Sequence, residues 1–270
     1  MSGTYEAVEP RAMAAGATAT ADPQESNDIR TVAVASAIGN MIEYYDFTLY
    51  ATATALVFNK IFFPSDDPLV GSLLAFATFF VGYCARPLGG VIFGHFGDRV
   101  GRKTALLLTM LIMGAGTFLI GLMPTYGQVG VLAPICLIVL RLLQGIGIGG
   151  EYGGGMVMTV EHAPADRRGF YSSLVHIGVP AGFLIPIALL GLLSTTMSEA
   201  EFLAWGWRLP FLFSIVLVGI GLFIRFKVSE TPAFQRVLAE EGRAGVPVVE
   251  AVRNHSGNIL FGIGARCAAR

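Results

Sequence analysis

The sequence predicts an all-α membrane protein with six transmembrane helices, and two properties of the chain lead to this fold class. First, 54% of its 270 residues are hydrophobic, only 14% are charged, and the mean hydropathy is +0.64. A soluble domain carries about 25% charged residues, so lipid is the main solvent expected here. Second, six apolar stretches reach the ~20 residues that a helix needs to cross a bilayer. They lie at roughly residues 31–58, 69–93, 104–123, 128–156, 170–194 and 209–227.

Glycine is frequent within these stretches, often at a spacing of four residues. The pairs are Gly90/Gly94, Gly145/Gly149 and Gly178/Gly182. Small residues at this spacing let two helix backbones approach closely in a membrane. In a soluble helical bundle, each glycine would cost about 1 kcal/mol relative to alanine. We therefore expect close helix–helix contacts at these pairs.

Basic residues are concentrated in alternate loops, and this alternation predicts the orientation. Those on one side are Arg99, Arg102, Lys103, Arg167 and Arg168, with Arg225 and Lys227 after the sixth stretch. Because basic loops stay on the cytoplasmic side, the N-terminus is predicted to be cytoplasmic and the protein to lie in the cell's inner (plasma) membrane. Trp205 and Trp207 then fall at the outer interface, where aromatic residues are enriched.

Composition divides the chain into four parts. Residues 1–29 are polar and lack the apolar core of a signal peptide, which predicts a disordered cytoplasmic tail. Residues 30–228 form the six-helix transmembrane unit, and residues 229–257 turn polar again, as a cytoplasmic linker does. Residues 258–270 start another apolar run that is far shorter than a membrane span. We interpret this run as the truncated start of a seventh helix.

Several classes of function are disfavoured by the sequence. The net charge of −1 offers no basic field for nucleic acid, and no nucleophile–base pair or metal-ligand spacing indicates an enzyme. Gly145, Gly147 and Gly150 match a dinucleotide-binding pattern, but such a site needs a preceding strand and a soluble βαβ unit. The sequence contains no nucleotide-binding P-loop either. We therefore predict no cofactor and no metal, with an ion gradient as the energy source.

A conspicuous motif lies in the cytoplasmic loop between the second and third stretches. It reads Gly94-His95-Phe96-Gly97-Asp98-Arg99-Val100-Gly101-Arg102-Lys103. It resembles the signature loop of the major facilitator superfamily, and Arg141-Leu-Leu-Gln144-Gly145 resembles that superfamily's membrane-buried arginine motif. The resemblance implies a cytoplasmic gate formed by Gly94, Gly97, Asp98, Arg99, Gly101, Arg102 and Lys103. In such a gate the glycines permit close contact, and Asp98 pairs with a basic residue or a helix N-terminus.

Further segments narrow the resemblance to the metabolite:proton symporters. They are residues 39–47 (GNMIEYYDF), 86–90 (RPLGG), 207–211 (WRLPF) and 229–234 (SETPAF). Tyr44 departs from this group, which often has tryptophan there. The resemblance implies twelve spans in the whole transporter, of which this chain is the N-terminal half. It also implies proton-coupled uptake of a small metabolite by alternating access. The group carries shikimate, 2-oxoglutarate, citrate and other carboxylates, and also proline and betaine.

Charged residues inside the predicted spans are the main candidates for function, because each costs at least ~2.5 kcal/mol at a helix centre. Asn40, Glu43, Asp46 and Tyr50 form one polar stripe at three- and four-residue spacing. Arg141, Gln144 and Glu151 fall within an arc of about 80° at 100° per residue. The resemblance implies that the first and fourth spans both line a central cavity. The predicted proton-coupling and substrate residues are therefore Glu43, Asp46, Arg86, Arg141, Gln144 and Glu151.

Two interpretations of these charges stay open. A carboxylate that moves into or out of contact with Arg141 changes its affinity for protons, and Arg86 and Arg141 attract an anionic substrate such as an organic acid. Alternatively, fixed ion pairs lock the helices together.

The state of the chain is equally open, and the sequence does not identify the metabolite. The expected partners are membrane lipid, protons, a small-molecule substrate, and either the missing C-terminal half or a second copy. The chain is accordingly a truncated symporter, a homodimerising half-transporter or a non-transporting interaction subunit.

Overall fold

The computed structural model describes residues 23–230 of the chain, with side chains from Ile29 onward. Within these residues the fold is helical throughout, without strands. Most of the predicted tail, most of the predicted linker and the whole predicted start of a seventh helix lie outside the described residues. Seven helices of eight or more residues carry the six spans. They are α1 (Pro23–Ala53), α2 (Pro68–Val100), α3 (Arg102–Leu122), α4 (Leu132–His162), α5 (Arg168–Val175), α6 (Gly178–Thr196) and α7 (Arg208–Phe226).

Shorter turns extend the spans at their ends. The π-helical turn Thr54–Phe58 and the short helix Asn59–Ile61 continue α1 without a break, and the helix Tyr126–Val129 precedes α4. The helix Glu199–Glu201 and the π-helical turn Phe202–Gly206 lead into α7.

Length and hydropathy support the predicted membrane fold. Five helical segments of the described chain are long and apolar enough to cross a bilayer: Pro68–Val100, Arg102–Leu122, Leu132–His162, Arg168–Thr196 and Glu199–Phe226. The sixth span, α1, is long enough at 31 residues, but its polar stripe makes it less apolar than the other five. Many large apolar side chains point out of the bundle, as lipid contact requires; examples are Leu73, Phe80, Leu184 and Phe223. The predicted all-α, multi-pass fold is thus confirmed.

Contacts at the two ends of the bundle show that successive spans run in opposite directions. At one end, Lys60 after α1 pairs with Glu199 before α7, with Nζ 2.7 Å from Oε1. At the other end, Arg102 at the start of α3 pairs with Glu161 near the end of α4, at 3.2 Å. The basic connections predicted to be cytoplasmic therefore share one end of the bundle.

Two helix boundaries differ from those predicted. Helix α1 begins at Pro23, inside the predicted tail. Helix α2 continues to Val100, through most of the segment near 94–103 that was predicted to be a loop. Only Gly101, at φ 118°, separates α2 from α3, and a φ in this range favours glycine because it has no Cβ. The loop prediction was therefore wrong, and the motif is a helix–glycine–helix corner.

The fifth span also differs from the prediction of one continuous helix. It is broken between Val175 and Gly178, and Pro180 explains the position of the break. Proline has no N–H to donate to the carbonyl four residues earlier, and its ring collides with that carbonyl. The carbonyl of His176 instead accepts a bond from the N–H of Val179 at 3.1 Å.

An aromatic cluster fills the core at the predicted outer end of the bundle. Trp207 packs edge-on against Phe58, Phe62 and Phe211, with ring centroids 5.7, 5.9 and 5.8 Å away. Its side chain is fully buried, whereas Trp205 is exposed. The prediction that Trp207 belongs to an interfacial belt was therefore wrong, because its ring is buried against other aromatic residues inside the bundle.

The glycine pairs allow close packing at two of the three predicted places. Gly145 and Gly149 of α4 face the backbone of α2 at Gly82 and Arg86. Gly178 and Gly182 of α6 face the backbone of α1 at Ala37 and Met41 in the same way. The third pair differs: Gly90 makes only an ordinary contact, and a Cβ on Gly94 would meet nothing within 4 Å.

A methyl group at Gly145 tests the contact between α2 and α4. An added Cβ would collide with the carbonyl oxygen of Gly82, so Gly145→Ala must push the two helices apart. We expect a loss of about 1–3 kcal/mol, the usual cost of overpacking, seen as a lower melting temperature of the detergent-solubilised protein. Gly153→Ala is the matched control on the same helix, because a Cβ there meets nothing within 4 Å. Equal melting temperatures for the two variants would contradict this account.

Candidate functional site

Asp46 and Arg141, two of the deeply buried charges of the described chain, belong to one hydrogen-bonded network between α1, α3 and α4. Asp46 of α1 accepts from Arg141 of α4 through Oδ2, at 3.1 Å from Nη1. Its other oxygen, Oδ1, accepts from Gln144 Nε2 at 2.7 Å and from the hydroxyl of Thr117 on α3. Arg141 Nη1 also donates to Gln144 Oε1 at 3.0 Å. Both oxygens of Asp46 are therefore engaged by donors.

Burial makes this pairing obligatory. Asp46 is 1% exposed and Arg141 is 4% exposed. A charge that is buried from water to this degree is tolerated only when it is paired and hydrogen-bonded. The guanidinium of Arg141 also lies over the ring of Tyr50, 3.4 Å from its centroid. The Tyr50 hydroxyl is in turn hydrogen-bonded to Thr78 of α2. The network thus connects α1, α2, α3 and α4.

A second, looser ion pair lies one turn along α1. Arg86 of α2 approaches Glu43 with 3.5 Å between Nη1 and Oε1. Glu43 is buried, and its second oxygen, Oε2, has no hydrogen-bond partner. The Arg86 side chain is 24% exposed, and its guanidinium lies 4.5 Å from the centroid of the Tyr83 ring and 5.4 Å from that of Phe47. These four residues and Tyr44 line a small open pocket.

Glu151 belongs to a different network from the one that the sequence predicted. It forms a short bidentate ion pair with Arg225 of α7, and it accepts from the hydroxyl of Thr109 at 2.8 Å. Arg225 also donates to the carbonyl of Leu106 at 2.7 Å. The angular projection placed Glu151 beside Arg141, but ten residues of α4 separate them by about 15 Å along the helix axis. Glu151 is therefore not part of the Asp46 site.

Arg225 is the deeply buried charge that the sequence interpretation missed. It was assigned to the cytoplasmic end of the sixth span, yet it is 4% exposed. The signal was present in the sequence. The buried residues of α7 recur at three- and four-residue spacing, and Arg225 continues the series that runs through Phe211, Ser214, Val218 and Gly221, as one face of a helix does.

The predicted gate motif forms a compact set of polar contacts at the α2–α3 corner. Asp98 pairs with Arg102, four residues further along the same motif, at 3.3 Å. The gate role of the motif stays a prediction. Arg102 also reaches Glu161 of α4. The N-terminus of α3 is capped by Glu230, which accepts from the backbone N–H groups of Arg102 at 3.0 Å and of Lys103 at 3.2 Å.

The remaining motif residues occupy distinct positions. The Lys103 ammonium donates to the carbonyl of Phe226 at the end of α7, at 3.0 Å. Gly97 is buried, with Ala105 3.5 Å from the position of a Cβ, and Gly101 is the corner itself. Gly94 borders an open cleft between α2, α3 and α4, and Arg99 is exposed. The corner is therefore anchored to both α4 and α7.

The fold and its buried charges define the class of protein. A bundle of apolar spans that keeps arginines and carboxylates inside is typical of membrane proteins that move solutes, where such residues mark substrate and ion pathways. The profile of the family called sugar (and other) transporter matches residues 32–255. The chain belongs to this family of the major facilitator superfamily, and its family and relatives are transporters, not enzymes.

The relatives carry different metabolites. The chain is 47% identical to the shikimate transporter of Escherichia coli K12 over 86% of its own length and 53% of the relative. It is 42% identical to the proline/betaine transporter of the same strain, over 78% of the chain and 42% of the relative. The chain thus spans about half the length of the curated relatives it matches.

Solved structures share the fold. The xylose transporter XylE from E. coli, in a partially occluded inward-open conformation, superposes with a TM-score of 0.69 at 18% identity. That superposition covers 80% of this chain and 51% of XylE. At this identity the likeness concerns the fold alone.

The Glu151–Arg225 pair is suited to a double-mutant test of stability. Arg225→Met leaves Glu151 as a buried, unpaired charge, and losing one partner of such a pair costs about 3–5 kcal/mol. The double variant Glu151→Leu/Arg225→Met removes both charges and should recover most of this loss. The measurement is the melting temperature in detergent.

The exposed pair at the opposite end of the bundle provides the control. Lys60 and Glu199 are both solvent-accessible, so Lys60→Met should leave the melting temperature nearly unchanged. A double variant that melts below Arg225→Met alone would show that the ion pair is not what Arg225 contributes.

Proposed function

We propose that this chain supplies the N-terminal half of a secondary active transporter that imports a small metabolite of the organic-acid class together with protons. Transport would proceed by alternating access across the inner membrane, with the N-terminus in the cytoplasm. The Asp46–Arg141–Gln144 network carries the proposal, because charges held at such depth mark substrate and proton pathways. The proton gradient is the energy source in this proposal, without a cofactor.

The relatives support the substrate class. A shikimate transporter and a proline/betaine transporter are both similar to the chain, and shikimate, proline and betaine all carry a carboxylate. Arg86 and Arg141 are cationic partners for such a group, since guanidinium binds carboxylates in a bidentate geometry. Glu43, Asp46, Arg86, Arg141 and Gln144 form the proposed proton and substrate site.

The second half of the transporter completes the cavity in this proposal. In transporters built of repeats, two bundles rock about a site at their interface. The second bundle comes from the C-terminal half that the relatives' length implies or from a second copy of the chain. The α2–α3 corner with Asp98, Arg102 and Lys103 acts as the cytoplasmic gate, because it is tied to α4 and α7 at one end of the bundle.

Asp46→Asn tests the proposed role of the central network. The substitution leaves Arg141 buried without a carboxylate, so the central ion pair of the proposed site disappears. We expect uptake driven by an inward proton gradient to fall at least about tenfold, which corresponds to ~1.4 kcal/mol. The measurement is accumulation of radiolabelled shikimate, proline and betaine by membrane vesicles from cells that express the chain from its own gene.

Asp66→Asn is the matched control, because Asp66 is an exposed carboxylate in the connection between α1 and α2. Comparable amounts of monodisperse protein in detergent establish that each variant folds. Undiminished gradient-driven uptake in Asp46→Asn would remove Asp46 from the coupling mechanism. A wild-type protein that accumulates none of the three solutes under a proton gradient would refute the proposed function itself.

A further inference from the structure

Arg86 and Arg141, the two arginines of the proposed site, differ in how many of their hydrogen-bond donors are already engaged. Arg141 is 4% exposed and is held by Asp46, Gln144 and the ring of Tyr50. Arg86 is partly exposed, and the one ion pair described for it, with Glu43, is long at 3.5 Å. Of these two guanidinium groups, Arg86 is therefore the one that can accept a new anion without dismantling the central network.

We infer that Arg86 binds the carboxylate of the transported metabolite in exchange for Glu43, and that Glu43 takes up the coupled proton as it releases Arg86. This inference rests on the proposed function and deepens it, because it assigns the substrate carboxylate and the proton to two named side chains. The exchange couples the two solutes through competition for one cation.

The pocket beside Arg86 has the size and lining for this exchange. Its volume is about 40 Å³, whereas an ordered water needs about 10–15 Å³, so it accommodates water or a carboxylate group. Its walls are Glu43, Tyr44, Phe47, Tyr83 and Arg86. The guanidinium lies over the rings of Phe47 and Tyr83, and these contacts keep it in position while its ionic partner changes.

Hydrogen-bond complementarity favours Glu43 over Asp46 as the proton carrier. Both oxygens of Asp46 accept from donors, so a proton added there would face another donor. Glu43 is 5% exposed, and its Oε2 has no hydrogen-bond partner. A carboxyl group that is protonated on this oxygen keeps its place without opposing a donor.

The charge balance of the pocket explains why the proton is needed. The Arg86 and Glu43 side chains together carry no net charge, and a bound carboxylate would add one buried negative charge. An uncompensated charge in such a site is costly, and one proton on Glu43 restores neutrality. The proton enters from water in the pocket and leaves to water when the carboxylate departs, so Glu43 returns to Arg86.

The other carboxylates near Glu43 are already paired with other arginines, so Arg86 is the group that takes part in the exchange. The charged neighbours that act on Glu43 are Arg86 of α2, Glu151 of α4 and Asp46 of its own helix. Glu151 is already bound to Arg225, and Asp46 to Arg141. Tyr44 and Tyr83 are the titratable groups that line the same pocket. Within the described part of the chain, Arg86 is the cation paired with Glu43.

Neutralising Glu43 should separate substrate movement from proton movement. Glu43→Gln imitates the protonated carboxyl, so we expect exchange of labelled for unlabelled shikimate, proline or betaine to stay within about threefold of wild type. Gradient-driven accumulation and the substrate-induced alkalinisation of a weakly buffered vesicle suspension should both fall at least about tenfold. Glu43→Asp keeps the charge and should retain measurable coupling.

Removing the guanidinium should impair exchange as well as accumulation. Arg86→Gln should lose both exchange and accumulation of carboxylates by at least about tenfold, since charge-assisted hydrogen bonds to the substrate disappear. Arg86→Lys should recover part of the exchange. Glu199→Gln and Arg167→Gln serve as matched controls on exposed ion pairs and should behave as wild type.

The results separate this inference from the function on which it rests. Wild-type accumulation of a carboxylate under a proton gradient, together with unchanged proton coupling in Glu43→Gln or unchanged exchange in Arg86→Gln, would overturn the inference alone. A wild type without gradient-driven accumulation would overturn both. Loss of coupling with retained exchange in Glu43→Gln is the result that the geometry leads us to expect.

Discussion

The ion pair between Asp46 and Arg141 is the interaction on which the arrangement of the bundle most depends. The two opposite charges are only 1% and 4% exposed. They must stay paired, because either charge alone at this buried position would strongly destabilise the fold. Thr117 and Gln144 fill the remaining hydrogen-bonding capacity of Asp46, and Tyr50 covers the guanidinium. The relative positions of α1, α3 and α4 follow from this one requirement for pairing.

The three buried ion pairs differ in how fully their hydrogen-bonding groups are satisfied. Asp46–Arg141 and Glu151–Arg225 are each surrounded by further donors and acceptors. Glu43–Arg86 is longer and borders a pocket. Close backbone contact between α2 and α4 at Gly145 and Gly149 brings Arg86 to the interior side of the bundle. The division allows one pair to change partners while the other two maintain the fold.

Much of this organisation could be predicted from residue spacing. The polar stripe of α1, the buried Arg141 and two of the three glycine contacts follow from helical periodicity and from the cost of charge in lipid. Spacing failed where distance along the helix mattered, as for Glu151, and where a tertiary partner decided burial, as for Trp207 and Arg225. The contrast between a saturated Asp46 and a half-paired Glu43 depends on distances between helices, which a single sequence does not contain.

The corner at Gly101 sets how the second and third spans can move relative to each other. One residue separates Val100 from Arg102, and consecutive Cα atoms are 3.80 Å apart, so these two helix ends can never be more than about 7 Å apart. Any change in the angle between α2 and α3 must therefore pivot at this corner. The displacement grows with distance from it, so a small rotation at the basic end becomes a wide opening at the opposite end of the bundle.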